Sequence, residues 1–268
     1  MGDRKVDRFA LFLTRLSFGI ISSFQDYRAM FTWRSWLFGW MLRLVSQVLF
    51  FASLGRLVGS ASTEQAIALG NAMALGPLGA LGVVSSSVGE RRGSTLQFIV
   101  ISSSSPFLVI ASRGLYWVAD GFLTSCVVLT LLPWIVGLQL SWTALPLVFA
   151  VQALITLSGY ALALTLAGVS LHWPESRMYL TGGTTIAVLL LAGINVARPA
   201  HGLAGALATV VPGAHGLVAV REAVAGHGVP AGPVLAELAV MLGWGVVGRV
   251  GMAIALRRSG RRWSRLLG

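Results

Sequence analysis

The strongest constraint on this chain is the recurrence of apolar segments that are about twenty residues long and almost free of charge. A helix of that length spans the hydrocarbon core of a bilayer, where every backbone polar group must be satisfied within the protein. Of the 268 residues, 56% are hydrophobic and only 11% are charged. That leaves too little polar surface for a soluble domain. The sequence therefore predicts an all-α, polytopic membrane protein.

Six segments have the required length and composition, and we expect each of them to be a transmembrane helix. They are Ser35–Val58, Gln65–Val88, Arg113–Leu138, Thr143–Gly168, Tyr179–Ala197 and Pro233–Leu256. Residues 35–257 then form one six-span domain, and residues 258–268 form a basic tail. Between the second and third spans, Gln97–Ser112 is too short on either side of Pro106 to cross, and we interpret it as an interfacial helix or hairpin.

Residues 1–34 precede the first span and have an amphipathic pattern. Their polar positions recur at spacings of four and seven, which places them on one helical face, while Phe and Leu cover much of the remainder. This pattern predicts a helix in the headgroup plane. The alternative is an additional span that begins at Phe9, but charges on both sides of it and within it argue against that. We find no apolar core followed by a cleavage site, and therefore predict no cleavable signal peptide.

The distribution of basic residues predicts the orientation. With six spans and both termini on one side, fifteen basic residues lie on that side and only Arg56, Arg198 and Arg221 on the other. The positive-inside rule therefore places both termini in the cytoplasm. A seventh span at Gly202–Val220 would turn the five arginines of the tail outward, and we exclude it. The net charge of +11 lies beside the spans, which indicates membrane orientation and no nucleic-acid partner.

The amino-acid composition argues against several kinds of site. The only lysine is Lys5, so the chain has no phosphate-binding loop of the Gly-Lys type and is not itself a P-loop ATPase. The single cysteine, Cys126, excludes an intrachain disulfide. The histidines His201, His215 and His227 are too far apart, without Cys or acidic partners, to indicate a metal site.

A charged, glycine-punctuated stretch follows the second span: Glu90-Arg91-Arg92-Gly93-Ser94-Thr95-Leu96. Its side chains suit charge-assisted hydrogen bonds to a partner, although many such stretches are ordinary positive-inside loops. With one extra residue, it resembles the Glu-Arg-x-x-Gly-Thr-Leu signature of type-2 ABC exporter permeases. The resemblance implies a coupling helix that contacts a separate ATPase subunit, aided by the polar break at His172–Arg177. The coupling residues would be Glu90, Arg91, Gly93, Thr95, Leu96, His172 and Glu175.

A second segment carries the same resemblance. Val211–Ala223 contains a proline, small residues and then Arg221, about ten residues before the last span. In the family this pattern precedes the last helix and forms a re-entrant hairpin in the outer leaflet. The alternative is a plain extracellular loop.

The resemblance implies a permease subunit of an ATP-driven exporter in the bacterial cytoplasmic membrane. It would move a hydrophobic or amphipathic substrate, such as a drug, an antibiotic or a lipid, outward. Its partners would be a second permease subunit, identical or related, and two ATPase subunits that bind ATP and Mg. The chain itself would not be an enzyme and would hold no cofactor. Polar or adaptable residues in the spans are the candidates for the substrate pathway: Gln47, Asn71, Met73 and Asn195.

Three charged residues lie inside the predicted spans at similar depth, about 10–13 Å from their cytoplasmic ends. They are Arg43, Asp120 and Arg249. Because a lone charge at that depth costs about 2.5–3.5 kcal/mol on insertion scales, we predict that Asp120 pairs with Arg43 or Arg249. The alternative is that each arginine reaches the headgroups separately.

Other classes of membrane protein remain as alternatives to the exporter. A secondary transporter or channel-like protein working alone would need a coupling acid inside the membrane. Asp120 and Glu237 are the only acids in the predicted spans, and we find no inverted repeat of the kind such transporters carry. A membrane assembly factor without transport activity is a third alternative.

Overall fold

The computed structural model describes residues 3–93, 105–196, 198–199 and 201–264, and the regular elements of these residues are all helical. The all-α prediction is confirmed. We label the α-helices in chain order: α1 Asp3–Met30, α2 Leu42–Val58, α3 Ala61–Ala80, α4 Gly82–Arg92, α5 Pro106–Arg113, α6 Leu115–Ile135, α7 Leu145–His172, α8 Arg177–Leu191, α9 Gly202–Ala208, α10 Ala214–Val224 and α11 Ala231–Ser264. A π-helical segment, Ser35–Met41, leads directly into α2.

Five helical segments are long and apolar enough to cross a membrane: Ser35–Val58, Ala61–Arg92, Phe107–Ile135, Leu145–His172 and Ala231–Ile254. They correspond to five of the six predicted spans. Large apolar side chains on their outer faces are open to the surroundings, for example Leu57 at 82% and Val246 at 64%. Such a surface is typical of a protein that is embedded in lipid.

The remaining predicted span, Tyr179–Ala197, does not form a helix of spanning length. The helix α8 has 15 residues, Arg177–Leu191, which corresponds to about 22 Å at 1.5 Å per residue. It ends in a turn in which Gly193 has a φ of +80°, a backbone conformation that glycine adopts without steric cost. Apolar composition alone predicted a longer helix because it does not register this turn.

The centre of the bundle is α3, which packs between α6 and α7. Small residues bring these helices close together. The backbones of Gly76 and Gly121 face each other, and a Cβ added to Gly121 would lie 2.7 Å from the carbonyl oxygen of Gly76. On the other side of α3, a Cβ added to Gly159 of α7 would overlap Pro77. Larger side chains at these glycines would force the helices apart.

Pro77 lies inside α3 and lacks the N–H that would bond the carbonyl oxygen of Met73, four residues earlier. The side chain of Gln152, on α7, donates to that oxygen at 3.1 Å. The proline in the membrane helix is therefore tolerated because a neighbouring helix supplies the missing donor.

The two helices α7 and α11 run in the same direction. Thr165 of α7 donates to the carbonyl oxygen of Trp244, and three residues further on Gly168 lies against Met252. The chain must therefore return along the bundle between the end of α7 and the start of α11. It does so through three shorter helices, α8, α9 and α10, in place of one long helix. We refer to α9, α10 and the turn between them as the hairpin.

The N-terminal helix α1 packs along α5 and the start of α6. Gly19 lies directly against Ser112, and the hydroxyl of Ser23 accepts a hydrogen bond from the backbone N–H of Tyr116 at 3.2 Å. The opposite face carries exposed apolar side chains such as Phe18 and Ile21. A helix is thus present within residues 1–34, where the sequence predicts one, but it ends at Met30, and one of its faces is available to lipid.

Candidate functional site

Two of the sequence motifs meet at one end of the bundle, where α4 ends, α6 begins and α7 ends. We call this the Arg-rich end. Glu90, Arg91 and Arg92 form the last turn of α4 rather than a loop. Cations in the last turn of a helix interact favourably with its partial negative charge. Of the other coupling candidates, Gly93 caps α4, while Thr95 and Leu96 lie outside the described residues.

Arg91 connects α4 to the end of α7. Its guanidinium donates to the carbonyl oxygen of Leu171 and, at 3.0 Å, to that of His172. These carbonyls belong to the last turn of α7, which has no helical donors left for them. Arg91 therefore caps α7, and the two polar segments predicted to couple, at Glu90–Leu96 and His172–Arg177, are in contact through it.

The other two charged residues of the turn have different surroundings. Arg92 pairs with Glu175 at 3.1 Å, and both side chains are largely exposed, at 56% and 88%. Glu90 faces inward and pairs with Arg113 at 2.7 Å, and Arg113 also bonds Asp26 of α1 at 2.9 Å. Arg92 and Glu175 thus form a charged pair at this end that is open to a partner. Sequence reasoning missed the roles of Arg113 and Asp26.

Asp120 lies near the start of α6 and is 6% exposed. One of its carboxylate oxygens accepts hydrogen bonds from the hydroxyl of Tyr27 at 2.6 Å and from the indole N–H of Trp36 at 2.7 Å. The other accepts from the indole N–H of Trp40 at 3.0 Å. Burial of Tyr27, together with this hydrogen bond to Asp120, raises the pKa of the phenol above its usual range.

The structure gives Asp120 different partners from the arginines predicted for it. Within the described residues, neither Arg43 nor Arg249 forms an ion pair with Asp120. Arg43 stacks on the ring of Trp40 at 4.6 Å, so its contact with Asp120 is indirect. Arg249 is exposed on α11, which packs mainly along α7 and α10. Indole and phenol donors near the start of α2 and the end of α1 reach Asp120 instead.

The second buried acid, Glu237 of α11, is fully buried and holds the start of α10. Its two carboxylate oxygens accept hydrogen bonds from the backbone N–H groups of Gly213 at 2.9 Å and Gly216 at 3.0 Å. Unpaired N–H groups at a helix N-terminus attract a carboxylate. Gly213 has a φ of +87°, and a Cβ at Gly216 would overlap Ile155. Glycine at these two positions therefore permits the turn before α10 and the close packing of α10 against α7.

The same face of α11 forms a second hydrogen bond to the turn between α9 and α10. The indole N–H of Trp244 donates to the carbonyl oxygen of Val210 at 2.7 Å. Trp244 lies thirteen residues beyond the first residue of α11, or about 20 Å along the helix. The turn is therefore bonded at two points of α11, at Glu237 about 9 Å and at Trp244 about 20 Å from the start of the helix.

The predicted pathway residues are only partly brought together. The side-chain amide of Asn71 donates to the side-chain oxygen of Asn195 at 2.7 Å, which joins α3 to the turn after α8. Met73 is buried in the core, at 2% exposure, and Gln47 is half-buried on α2. Gln152 was missed, although the proline four residues after Met73 is a signal that a polar neighbour is needed.

Within the described part of the chain, no group of three or more His, Cys, Asp or Glu side chains is placed to hold a metal ion. His227 pairs with Glu222 at 3.0 Å, and the ring of His215 contacts the carbonyl oxygen of Thr209 at 3.0 Å. These contacts hold the ends of α10 in place. Comparison of the chain with protein families, curated proteins and solved structures finds no match.

Proposed function

We propose that this chain is the transmembrane permease subunit of an ATP-driven exporter resembling the type-2 ABC family. It acts with a second permease subunit and two ATPase subunits, and it moves a hydrophobic or amphipathic substrate outward across the bacterial cytoplasmic membrane. The observation that carries the proposal is the contact between the two segments that the resemblance assigns to coupling. Arg91 caps α7, and Arg92 pairs with Glu175 beside it.

This arrangement provides a rigid route for force from a partner. A push on the exposed pair of Arg92 and Glu175 reaches α4 and α7 together, because Arg91 joins the ends of both helices. α4 continues α3, the most buried of the spanning segments. Movement of a partner at the Arg-rich end is therefore transmitted into the centre of the bundle.

The hairpin supports the same proposal. Its turn is held by Glu237 and Trp244 of α11, the latter about 20 Å from the start of that helix. Backbone polar groups inside a membrane must be satisfied by protein groups. The carboxylate of Glu237, about 9 Å from the start of α11, accepts hydrogen bonds from two backbone N–H groups of the hairpin. We propose that α9 and α10 form a re-entrant hairpin that closes the outer end of the substrate pathway beside Asn71 and Asn195.

The two buried acids favour this proposal over a secondary transporter. A coupling acid must exchange a proton or an ion with the pathway. Both oxygens of Asp120 and both oxygens of Glu237 accept hydrogen bonds from protein donors. We assign both carboxylates to the attachment of one helix to another.

The proposal is tested by isolating the affinity-tagged chain from its native membranes in mild detergent and measuring Mg-dependent, vanadate-sensitive ATP hydrolysis. We expect the activity to accompany the wild-type chain and the control variant Glu222→Ala, whose site is far from the Arg-rich end. The variant Arg92→Glu is expected to lose most of it while remaining folded. Wild-type chain free of any P-loop ATPase, or full activity with Arg92→Glu, would contradict the proposal.

A further inference from the structure

Two arginines contact the same glycine turn between α8 and the hairpin. The guanidinium of Arg221, on α10, donates to the carbonyl oxygen of Gly193 at 2.8 Å. A Cβ added to Gly193 would lie 3.1 Å from the Cβ of Arg198, whose guanidinium donates to the carbonyl oxygen of Ala208 at 3.4 Å. Both arginines are half-buried, and their hydrogen-bond acceptors among the described residues are neutral carbonyls.

The carboxylates in this part of the molecule form ion pairs or hydrogen bonds with groups other than these two arginines. Glu64 pairs with Arg56, Glu222 bonds His227, and Glu237 accepts from the start of α10. Within the described residues, neither Arg198 nor Arg221 has a carboxylate at ion-pair distance. Two positive charges therefore lie close to one turn without a negative charge from the described part of the protein.

Arg221 is also short of hydrogen-bond partners. Its Nε–H is buried and has none in the described structure, although a guanidinium presents several donors in a planar fork. Burial lowers the pKa of Arg221, as expected for a cation that is removed from water without an anion beside it. Such a cation is stabilised when an anion binds to it.

The surface beside these arginines is apolar. Leu203 is 78% exposed on α9, and Val196, Leu207 and Val210 are about half exposed. A ligand that neutralises the arginines would therefore also contact hydrocarbon groups. This combination of two arginines beside one turn and exposed aliphatic side chains matches an anionic headgroup that is attached to acyl chains.

We propose that Arg198 and Arg221 bind the phosphate group of an amphiphile at the turn between α8 and α9. The planar fork of each guanidinium suits the tetrahedral oxygens of a phosphate, which accept pairs of charge-assisted hydrogen bonds. Leu203 and Leu207 contact the apolar part of the same molecule. The proposal does not depend on the export function, because it concerns binding alone.

The test is a titration of the purified chain, in a neutral detergent, with short-chain phosphatidylglycerol, followed by the unfolding temperature. A ligand that binds only the folded state raises this temperature with concentration. We expect the rise for the wild type and for the control Arg56→Gln, whose arginine already has a carboxylate partner. In Arg198→Gln and in Arg221→Gln, we expect the apparent affinity to fall about tenfold or more.

Two further arms identify the ligand. Octyl glucoside, an amphiphile without phosphate, should give no saturable rise, and inorganic phosphate should require a far higher concentration than the phospholipid. If Arg221→Gln does not fold, Arg221→Lys keeps the charge without the fork and should still weaken binding. Wild-type affinity in both glutamine variants, or an equal response to octyl glucoside, would overturn the proposed site. Saturation by inorganic phosphate at the same concentration would overturn its assignment to an amphiphile.

Discussion

Among the described residues, two buried carboxylates, Asp120 and Glu237, are each satisfied by hydrogen bonds, but from different kinds of donor. Asp120, near the Arg-rich end, accepts from the side chains of Tyr27, Trp36 and Trp40. Glu237, on the last helix, accepts from the backbone N–H groups of Gly213 and Gly216. Neither carboxylate is paired with an arginine or a lysine within the described residues. In both cases, neutral donors satisfy the carboxylate and join elements that are distant in sequence.

The difference between the two lies in the freedom of the donors. A tyrosine or tryptophan side chain can rotate towards water or lipid headgroups if its acceptor is lost, and such rings are common at the membrane interface. The first N–H groups of α10 are held by the helix itself and have no intrahelical acceptor. We therefore infer that Asp120 is an adaptable attachment of α1 and α2 to the bundle, and that Glu237 is an obligatory one for the hairpin.

The largest effect is expected for Glu237→Ala. The substitution leaves two buried backbone donors without partners, and each such group costs about 1–3 kcal/mol. We expect the free energy of unfolding in detergent, followed by circular dichroism, to fall by about 2–6 kcal/mol on that basis. The control Glu222→Ala removes an exposed carboxylate from the same hairpin and should change stability little. Equal stabilities of the two variants would show that the carboxylate does not hold the hairpin.

A smaller effect is expected for Asp120→Ala, about 1–3 kcal/mol, because the three donors are side chains that are not fully buried and can turn away. In a double-mutant cycle, Tyr27→Phe should cost less when Asp120 is already alanine, since the two residues share a hydrogen bond. A charge exchange tests the ion pair that the sequence predicted for Asp120. If Arg43→Asp or Arg249→Asp restored the stability of Asp120→Arg, the attachment would be an ion pair after all.

Hydropathy could predict the helical fold and the five helices that are long and apolar enough to span a membrane, because it measures the apolar character that a lipid environment requires. It also showed that Asp120 and Glu237 are acidic residues inside apolar segments. It could not identify their partners, since those depend on which helix faces meet. A tryptophan near the end of an apolar segment is equally consistent with a lipid anchor. Every glycine has a backbone N–H, so the sequence does not indicate which glycines bond Glu237. The predicted span Tyr179–Ala197 was too long because the turn around Gly193 is as apolar as the helix before it, so composition does not show where the helix ends.

The two segments that the resemblance assigns to coupling show what a local pattern can and cannot predict. Their charge and spacing indicated a polar end, and Glu90–Arg92 and His172–Glu175 do meet there. The pattern did not indicate that Glu90 turns inward to Arg113 while Arg92 remains exposed. That distinction depends on the rotation of α4 about its axis, which is determined by packing against α7 and not by the motif.

A third buried link, between Gln152 and the carbonyl oxygen of Met73, uses neutral groups on both sides and should contribute least of the three. Polar contacts between membrane helices contribute about 0.6 kcal/mol on average, with a maximum of about 1.7 kcal/mol. We expect Gln152→Leu to destabilise the chain by an amount in that range. In a Pro77→Ala background the cost should largely disappear, because the N–H of an alanine can bond Met73 within the helix. An unchanged cost in that background would show that the glutamine does not act through this carbonyl.

The smallest effect on stability is expected at the surface pair of Arg92 and Glu175, and its test separates folding from coupling. Pairs that are this exposed contribute about 0–1 kcal/mol, so Arg92→Glu should unfold at nearly the same temperature as the wild type. Repulsion between the introduced carboxylate and Glu175 would nevertheless alter the surface offered to a partner. We expect Arg92→Glu to lose ATPase binding and the exchanged variant Arg92→Glu with Glu175→Arg to regain part of it, measured by co-purification.

Arg91→Ala provides the contrast, since it removes the cap of α7 and should lower stability as well as binding. If Arg92→Glu bound an ATPase as the wild type does, the exposed pair would not be the contact surface, whatever its effect on folding.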